Sequence, residues 1–171
     1  RGLGDVYKRQ ILSMKTTIFL GAMLSLLVCL MFTGCSNSET NSTSRGLTDF
    51  AHIEEEYLAT IDSLNWPDGI ALPDKLEDED TGASFQVGYG ETRASYLWEY
   101  SWMKEWLDTY NTDPERAEKA LEELEKAFDM PYMGIDRCDD ATRNYLRENI
   151  DKAKLGDPSG FTESIRANYA N

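Results

Sequence analysis

An aromatic-rich segment between residues 92 and 110 places the tightest constraint on what this chain can fold into. Residues three or four apart in a helix share a face, and two apolar stripes recur here at that spacing. One consists of Tyr96, Tyr100, Met103, Leu107 and Tyr110, and the other of Trp98, Trp102 and Trp106. A helix that is apolar around much of its circumference either lies at the centre of a bundle or exposes a binding face. The segment therefore predicts a helix that is central to the fold.

The tryptophan stripe has two interpretations. If Trp98, Trp102 and Trp106 were exposed, they would form a candidate ligand-binding surface for a glycan, a cationic amine or a basic peptide. Aromatic rings stack on apolar faces and attract cations, and acidic residues lie nearby. Aromatic stripes at helical spacing more often belong to a core. The sequence favours the core and keeps the binding face as the alternative.

Apolar periodicity indicates further helices on both sides of this segment. They cover residues 48–64 and 140–154, the stretch from Pro114 to the Met130-Pro131 stop, and a short helix over 162–169. Residues 66–90 form a long irregular connection, in which 84–89 is too short a pattern to predict a strand. Residues 47–171 are therefore predicted to form an all-α single domain of four to five helices, packed around the central aromatic-rich helix.

The third helix carries acids and bases at helical spacing. Glu115 and Lys119 are four residues apart, as are Glu122 and Lys126. This order and spacing favour ion pairs on the helix surface. We therefore expect two such pairs along the third helix.

The N-terminal part of the sequence predicts a targeting signal rather than a part of the folded domain. Residues 1–13 precede the first methionine, show no periodicity and are interpreted as a non-native extension. Residues 14–34 have the layout of a secretory signal, with one lysine and then an apolar run over 18–32. That run of 15 residues is shorter than the roughly 20 needed to span a bilayer.

The end of the apolar run resembles a bacterial lipobox. Phe32, Thr33 and Gly34 precede Cys35, and small polar residues follow. The resemblance implies that the Cys35 thiol is acylated and becomes the first mature residue, with 35–46 as a flexible tether. Two or more acyl chains hold a protein stably on a membrane. The alternative is an uncleaved signal anchor ending near Phe32, and both interpretations place the domain outside the cytoplasm.

Charge limits the partners of the domain. Of 17 basic and 31 acidic residues, four basic and one acidic residue lie within residues 1–35, so residues 36–171 have a net charge of −17. Nucleic acids need basic patches, so they are not expected as partners. Cations, amines and basic peptides are tolerated better, although an acidic surface also serves solubility.

Catalytic and metal-binding motifs are weak. His52 is the single histidine and is expected on a helix surface. Counted from Asp78, a calcium loop would need glycine at its sixth position and a carboxylate at its twelfth, where Ala83 and Tyr89 stand. After Cys35, Cys138 is the remaining cysteine, so we expect a buried thiol without an intrachain disulfide. We expect no cofactor, no metal site and no catalytic residues.

Three further stretches carry a resemblance to a known group. They are Leu-Asn-Trp-Pro-Asp-Gly at 64–69, Gly-Tyr-Gly-Glu at 88–91 and Leu-Gly-Asp-Pro-Ser-Gly at 155–160. Their order and spacing resemble small uncharacterised extracytoplasmic lipoproteins, mainly of actinobacterial type. The resemblance brings no function with it. It implies a cysteine at position 101 and another near the C-terminus, but Ser101 stands here, which leaves the implied disulfide in doubt.

These observations lead to a functional expectation with two alternatives. The leading interpretation is a lipid-anchored, cell-surface binding or interaction module without catalytic chemistry, held on the membrane through Cys35. One alternative is an envelope hydrolase that uses loop carboxylates, and the other is a structural accessory lipoprotein.

The anchor gives a first prediction. Cys35→Ala should abolish the incorporation of labelled fatty acid when the chain is expressed in a bacterium, because the thiol is the acylation site. Cys29→Ala is the matched control, since it removes a thiol six residues earlier, inside the apolar run, and should leave labelling intact. Undiminished labelling of Cys35→Ala would contradict the anchor.

Overall fold

The computed structural model describes residues 46–77 and 79–169, which belong to one compact helical unit. In chain order its elements are β1 (Leu47–Thr48), α1 (Phe50–Ser63), β2 (Phe85–Gln86), α2 (Tyr89–Thr109), α3 (Pro114–Glu125), α4 (Asp140–Lys154) and α5 (Ser159–Asn168). Two 3₁₀ turns, Lys126–Asp129 and Pro131–Met133, connect α3 to α4. The structure confirms the predicted all-α class and the five helices.

Helix starts follow the local capping chemistry. Asp113 and Asp139 each accept a hydrogen bond from the main-chain N–H three residues ahead, at 3.2 and 2.7 Å. Asp49 does the same for His52 at 3.1 Å. These side chains satisfy N–H groups that the first turn of a helix leaves free. The predicted starts of α3 and α4 are confirmed for this reason.

A β-ribbon with two residues in each strand is an element that the sequence did not predict. Leu47 pairs with Gln86, and Thr48 pairs with Phe85, in antiparallel register. The N–H of Val87 extends the ribbon by donating to the carbonyl of Gly46 at 3.1 Å. The ribbon joins the start of the domain to the end of the long connection.

The aromatic helix α2 is the centre of the core. It packs against α1, α3, α5 and the Pro131–Met133 turn. Its buried apolar residues are Ala94, Trp98, Trp102, Met103 and Trp106. Around them pack residues such as Ala120, Leu124, Leu146, Ile150 and Phe161 from the later helices. The prediction of a central aromatic-rich helix is therefore confirmed.

The segment after α1 is fixed to α2 by main-chain acceptors. The carbonyl of Asn65 accepts from the indole N–H of Trp98 at 2.8 Å and from that of Trp102 at 3.1 Å. The indole N–H of Trp66 donates to the carbonyl of Ile61 at 2.9 Å. A buried indole needs such a partner because an unsatisfied donor is costly. These bonds hold the beginning of the long connection against the core.

The start of α2 is capped by a carboxylate from α1. Glu56 accepts from the main-chain N–H of Gly88 at 2.7 Å and from that of Gly90 at 3.2 Å. Negative charge is favourable at the N-terminus of a helix. Gly88 has φ +87°, a left-handed conformation that favours glycine. A Cβ on Gly90 would lie 1.8 Å from the carbonyl oxygen of Ile53, so α1 crosses α2 where no side chain intervenes.

This crossing gives a prediction on stability. Gly90→Ala should lower the free energy of unfolding by about 3 kcal/mol or more, because α1 and α2 must separate to admit the methyl group. Gly46→Ala is the control, since a Cβ there meets nothing within 4 Å and should change stability by less than about 0.5 kcal/mol. Urea unfolding measures both. Equal stability of the two variants would contradict the close crossing.

Candidate functional site

The tryptophan stripe does not form an exposed binding face. Trp98 and Trp102 are each 1% exposed and Trp106 is 2% exposed. The indoles of Trp98 and Trp102 already donate to the Asn65 carbonyl. The interpretation of these three residues as an exposed ligand surface is therefore wrong, because helices and the Asn65 segment surround α2 on this side.

The predicted N-terminal signal and lipidation site lie outside the described residues. This applies to residues 1–13, the signal segment 14–34 and Cys35. Asp78 of the acidic loop also lies outside the described residues. Within residues 46–77 and 79–169, no helix combines the length and the apolarity that crossing a bilayer requires.

Acidic residues of the long connection between α1 and α2 pair with nearby residues of the domain. Glu79 accepts from the Tyr89 hydroxyl at 2.7 Å and lies 3.6 Å from Nε of Arg93. Glu77 pairs with Lys75 at 2.8 Å. In the part of the chain that the structure describes, no group of three or more His, Cys, Asp or Glu residues is placed to hold a metal ion. The contacts of Glu79 fasten the loop to α2.

His52 and Cys138 contact residues that belong to the packing and capping of the helices. His52 lies on α1 with its Nε2 3.3 Å from Glu56, the residue that caps α2. Cys138 is buried, as predicted, and its Sγ lies 3.5 Å from Sδ of Met133. Burial raises the pKa of the Cys138 thiol, which disfavours the reactive thiolate. Neither residue has the surroundings of a nucleophile or its base.

Glu99 is a buried carboxyl group in the core. Its side chain accepts a hydrogen bond from the Tyr132 hydroxyl at 2.8 Å. Burial raises the pKa of Glu99 to about 7 from a usual 4.5, and the bond from Tyr132 offsets only part of this rise. Among the described residues, no second carboxylate contributes to this shift. The hydrogen-bond partner of Glu99 is therefore a phenol rather than a second carboxyl group.

An open groove of about 470 Å³ lies between the C-terminal end of α2, helix α3 and the C-terminal end of α4. Its apolar part is formed by Trp106, Tyr110, Ala117, Leu121 and Ala153. Its polar rim is formed by Glu118, Glu122, Glu125 and Lys154. The volume falls in the range of small-ligand sites, about 300 to 1,000 Å³. This groove is the candidate binding site.

The aromatic part of the groove is held rigidly. The rings of Trp106 and Tyr110 stack with centroids 4.6 Å apart and planes 17° apart. Phe161 of α5 meets Trp106 edge-to-face at 5.3 Å. Because Trp106 is almost fully buried, the more exposed Tyr110 ring is the one available to a ligand. Stacking against Trp106 orients the Tyr110 ring.

The charges of the rim are unbalanced. Lys154 pairs with Glu125, and this hydrogen bond raises the pKa of Lys154. Glu118 and Glu122 are exposed, and neither forms an ion pair or a hydrogen bond within the described residues. The rim therefore presents two uncompensated negative charges.

The two ion pairs expected on the surface of α3, Glu115–Lys119 and Glu122–Lys126, are not formed. Lys126 pairs with Glu123 at 2.7 Å instead of with Glu122. Lys119 lies over the Trp102 ring, 5.8 Å from its centroid, instead of pairing with Glu115. Helical spacing permits both i,i+3 and i,i+4 partners, so spacing alone does not select Glu122 for Lys126. Neither lysine pairs with a glutamate of the groove rim.

Comparisons with protein-family models, with curated proteins and with solved structures find no match to this chain. The three stretches that carry the lipoprotein resemblance have local structural explanations. Asn65 and Trp66 attach to α2 and α1, Gly88 and Gly90 receive the Glu56 cap, and Gly156 ends α4 with φ +79°.

Sequence patterns gave no signal for this groove. Tyr110 reads as the end of a core stripe, Leu121 as one more apolar position of α3, and Ala153 as the inner face of α4. Nothing in the spacing along the chain brings these three segments together. Their juxtaposition arises from the packing of α4 against α3.

Glu99 gives a prediction on pH dependence. Between pH 4.5 and about 7, the folded state holds a proton on Glu99 that the unfolded state has released. Glu99 therefore contributes stability that is complete below its unfolded pKa and is lost as the pH rises through its folded pKa. Between about pH 5 and pH 8, the wild type should lose roughly 2–3 kcal/mol of unfolding free energy relative to Glu99→Gln.

Urea unfolding across this pH range provides the measurement. Glu99→Gln keeps an acceptor for Tyr132 but cannot ionise. Glu55→Gln, an exposed change on α1, is the control and should follow the wild type. A constant difference between wild type and Glu99→Gln would show that Glu99 is not held protonated.

Proposed function

We propose that this chain is a lipid-anchored binding module outside the cytoplasm, and that its ligand occupies the groove between α2, α3 and α4. The groove is the observation that carries the proposal: an apolar depression of about 470 Å³ with a partly exposed tyrosine and two unpaired carboxylates. The signal-like segment and Cys35 support the anchor and the location.

The groove has the composition of a recognition site rather than of a catalytic one. Binding sites combine an apolar lining with a few polar groups that orient the ligand. Here the lining comes from helices that pack on the core, so the site is formed before binding. Glycans, amines and basic peptides are the ligand classes that an aromatic ring and carboxylates accommodate.

The other two functional classes have less support. A glycosidase-type hydrolase needs one acid that burial keeps protonated and a second acid in the same cleft. Glu99 is buried beside Tyr132 and does not line the groove, and the groove acids Glu118 and Glu122 are exposed. An accessory protein needs a broad apolar surface. The exposed large apolar residues of the described chain are Leu47, Leu72, Val87, Ile135 and Leu155. Leu47 and Val87 meet at the β-ribbon, and the other three come from separate segments. Neither class therefore gains a specific observation.

The proposal predicts the location of ligand-induced changes. Isotope-labelled full chain in neutral detergent micelles is titrated with a short oligosaccharide, phenethylammonium and a lysine-rich peptide. At least one probe should shift the amide signals of α3 and of Ala153, Lys154 and Gly156, which line the groove, while those of α1 stay unchanged. The proposal fails if no probe shifts the groove signals, or if every shift lies elsewhere.

A further inference from the structure

The groove follows α3 along its length. Pro114 lies at one end of the lining and Glu125 at the other, eleven residues further on. At 1.5 Å per residue, this distance is about 16 Å. A compact amine would contact only part of such a site. A chain segment of about five extended residues, at roughly 3.3 Å each, would fill it.

The charges of the groove rim favour a positively charged ligand. Glu118 and Glu122 have no partner among the described residues, and the charge of Lys154 is compensated by Glu125. The surrounding chain is also strongly acidic, with a net charge of −14 over its whole length. An anionic ligand would therefore be repelled, whereas lysine or arginine side chains would find two free acceptors.

The groove offers apolar contacts as well as carboxylates. Tyr110, Leu121 and Ala153 line the same site as Glu118 and Glu122. A ligand that matches both features has apolar groups beside its cations.

We propose that the groove binds an extended basic peptide segment, in which lysine or arginine alternates with apolar residues. This inference rests on the proposed function and specifies its ligand. Glu118 and Glu122 are one helical turn apart, about 6 Å along α3. Alternate side chains of an extended peptide are about 6.7 Å apart on one side. Two such cations can therefore face the two carboxylates while the residues between them face the apolar wall.

The test uses three labelled five-residue peptides with fluorescence anisotropy. They alternate leucine with lysine, with glutamine or with glutamate, and empty micelles serve as the blank for full chain in neutral detergent. The lysine peptide should bind the wild type, the glutamine peptide more weakly and the glutamate peptide not at all. Equal binding of the lysine and glutamine peptides would overturn the inference, since the rim charges would then not matter.

Variants locate the interaction. Glu118→Gln with Glu122→Gln should weaken binding of the lysine peptide by about fivefold. Glu55→Gln with Asp62→Asn removes the same charge from exposed positions of α1 and should leave affinity unchanged. Glu118→Lys with Glu122→Lys should abolish binding of the lysine peptide and allow the glutamate peptide to bind. Equal weakening by both neutral pairs would mean that bulk acidity attracts the peptide, which overturns the inference.

The failure of this inference can be distinguished from the failure of the proposed function. If the oligosaccharide or phenethylammonium shifts the groove signals while the lysine peptide does not bind, the groove is a binding site for another ligand class. If none of the three probes affects the groove, the proposed function fails as well. Both titrations use the same preparation, so one set of samples separates the two outcomes.

Discussion

The carbonyl of Asn65 accepts the indole N–H groups of both Trp98 and Trp102, and the arrangement of the rest of the domain depends on this contact. Two large aromatic side chains can be buried side by side only if their polar N–H groups find acceptors. A single main-chain oxygen supplies both. The bonds attach the segment after α1 to the central helix and close one side of the core, so the tryptophan stripe is not available to a ligand. The groove lies further along, at the C-terminal end of α2.

Much of the fold was predictable because local signals and tertiary packing agree. The periodicity and the Asp139 cap define α4, and Asp113-Pro114 defines the start of α3. The start of α2 at Tyr89 was placed three residues too late, because its cap is Glu56 from another helix. The β-ribbon was missed because two residues per strand leave no detectable alternation. Contacts between distant segments determine both features, and the sequence alone does not display them.

The candidate site was not predictable for a related reason. The sequence directed attention to the three tryptophans, but only Trp106 reaches the groove, and it is nearly buried there. The unpaired acids were hidden as well, because helical spacing assigned Glu122 to Lys126, which pairs with Glu123. Tertiary packing decides both outcomes. The proposed binding groove thus lies at the C-terminal end of the aromatic helix, whereas the middle of that helix holds the fold together.

Hydrogen exchange at the indole N–H groups tests the contact of Asn65 with Trp98 and Trp102 most directly. Nitrogen-15 labelling of the tryptophans in the full chain, with assignment by single Trp→Phe variants, gives one signal for each indole. The Trp98 and Trp102 indole protons should exchange slowly, at rates set by opening of the core, because both are buried and bonded to Asn65. Exchange of either proton at the rate of a free indole would contradict the central contact. It would return the tryptophan stripe to the surface as the candidate site.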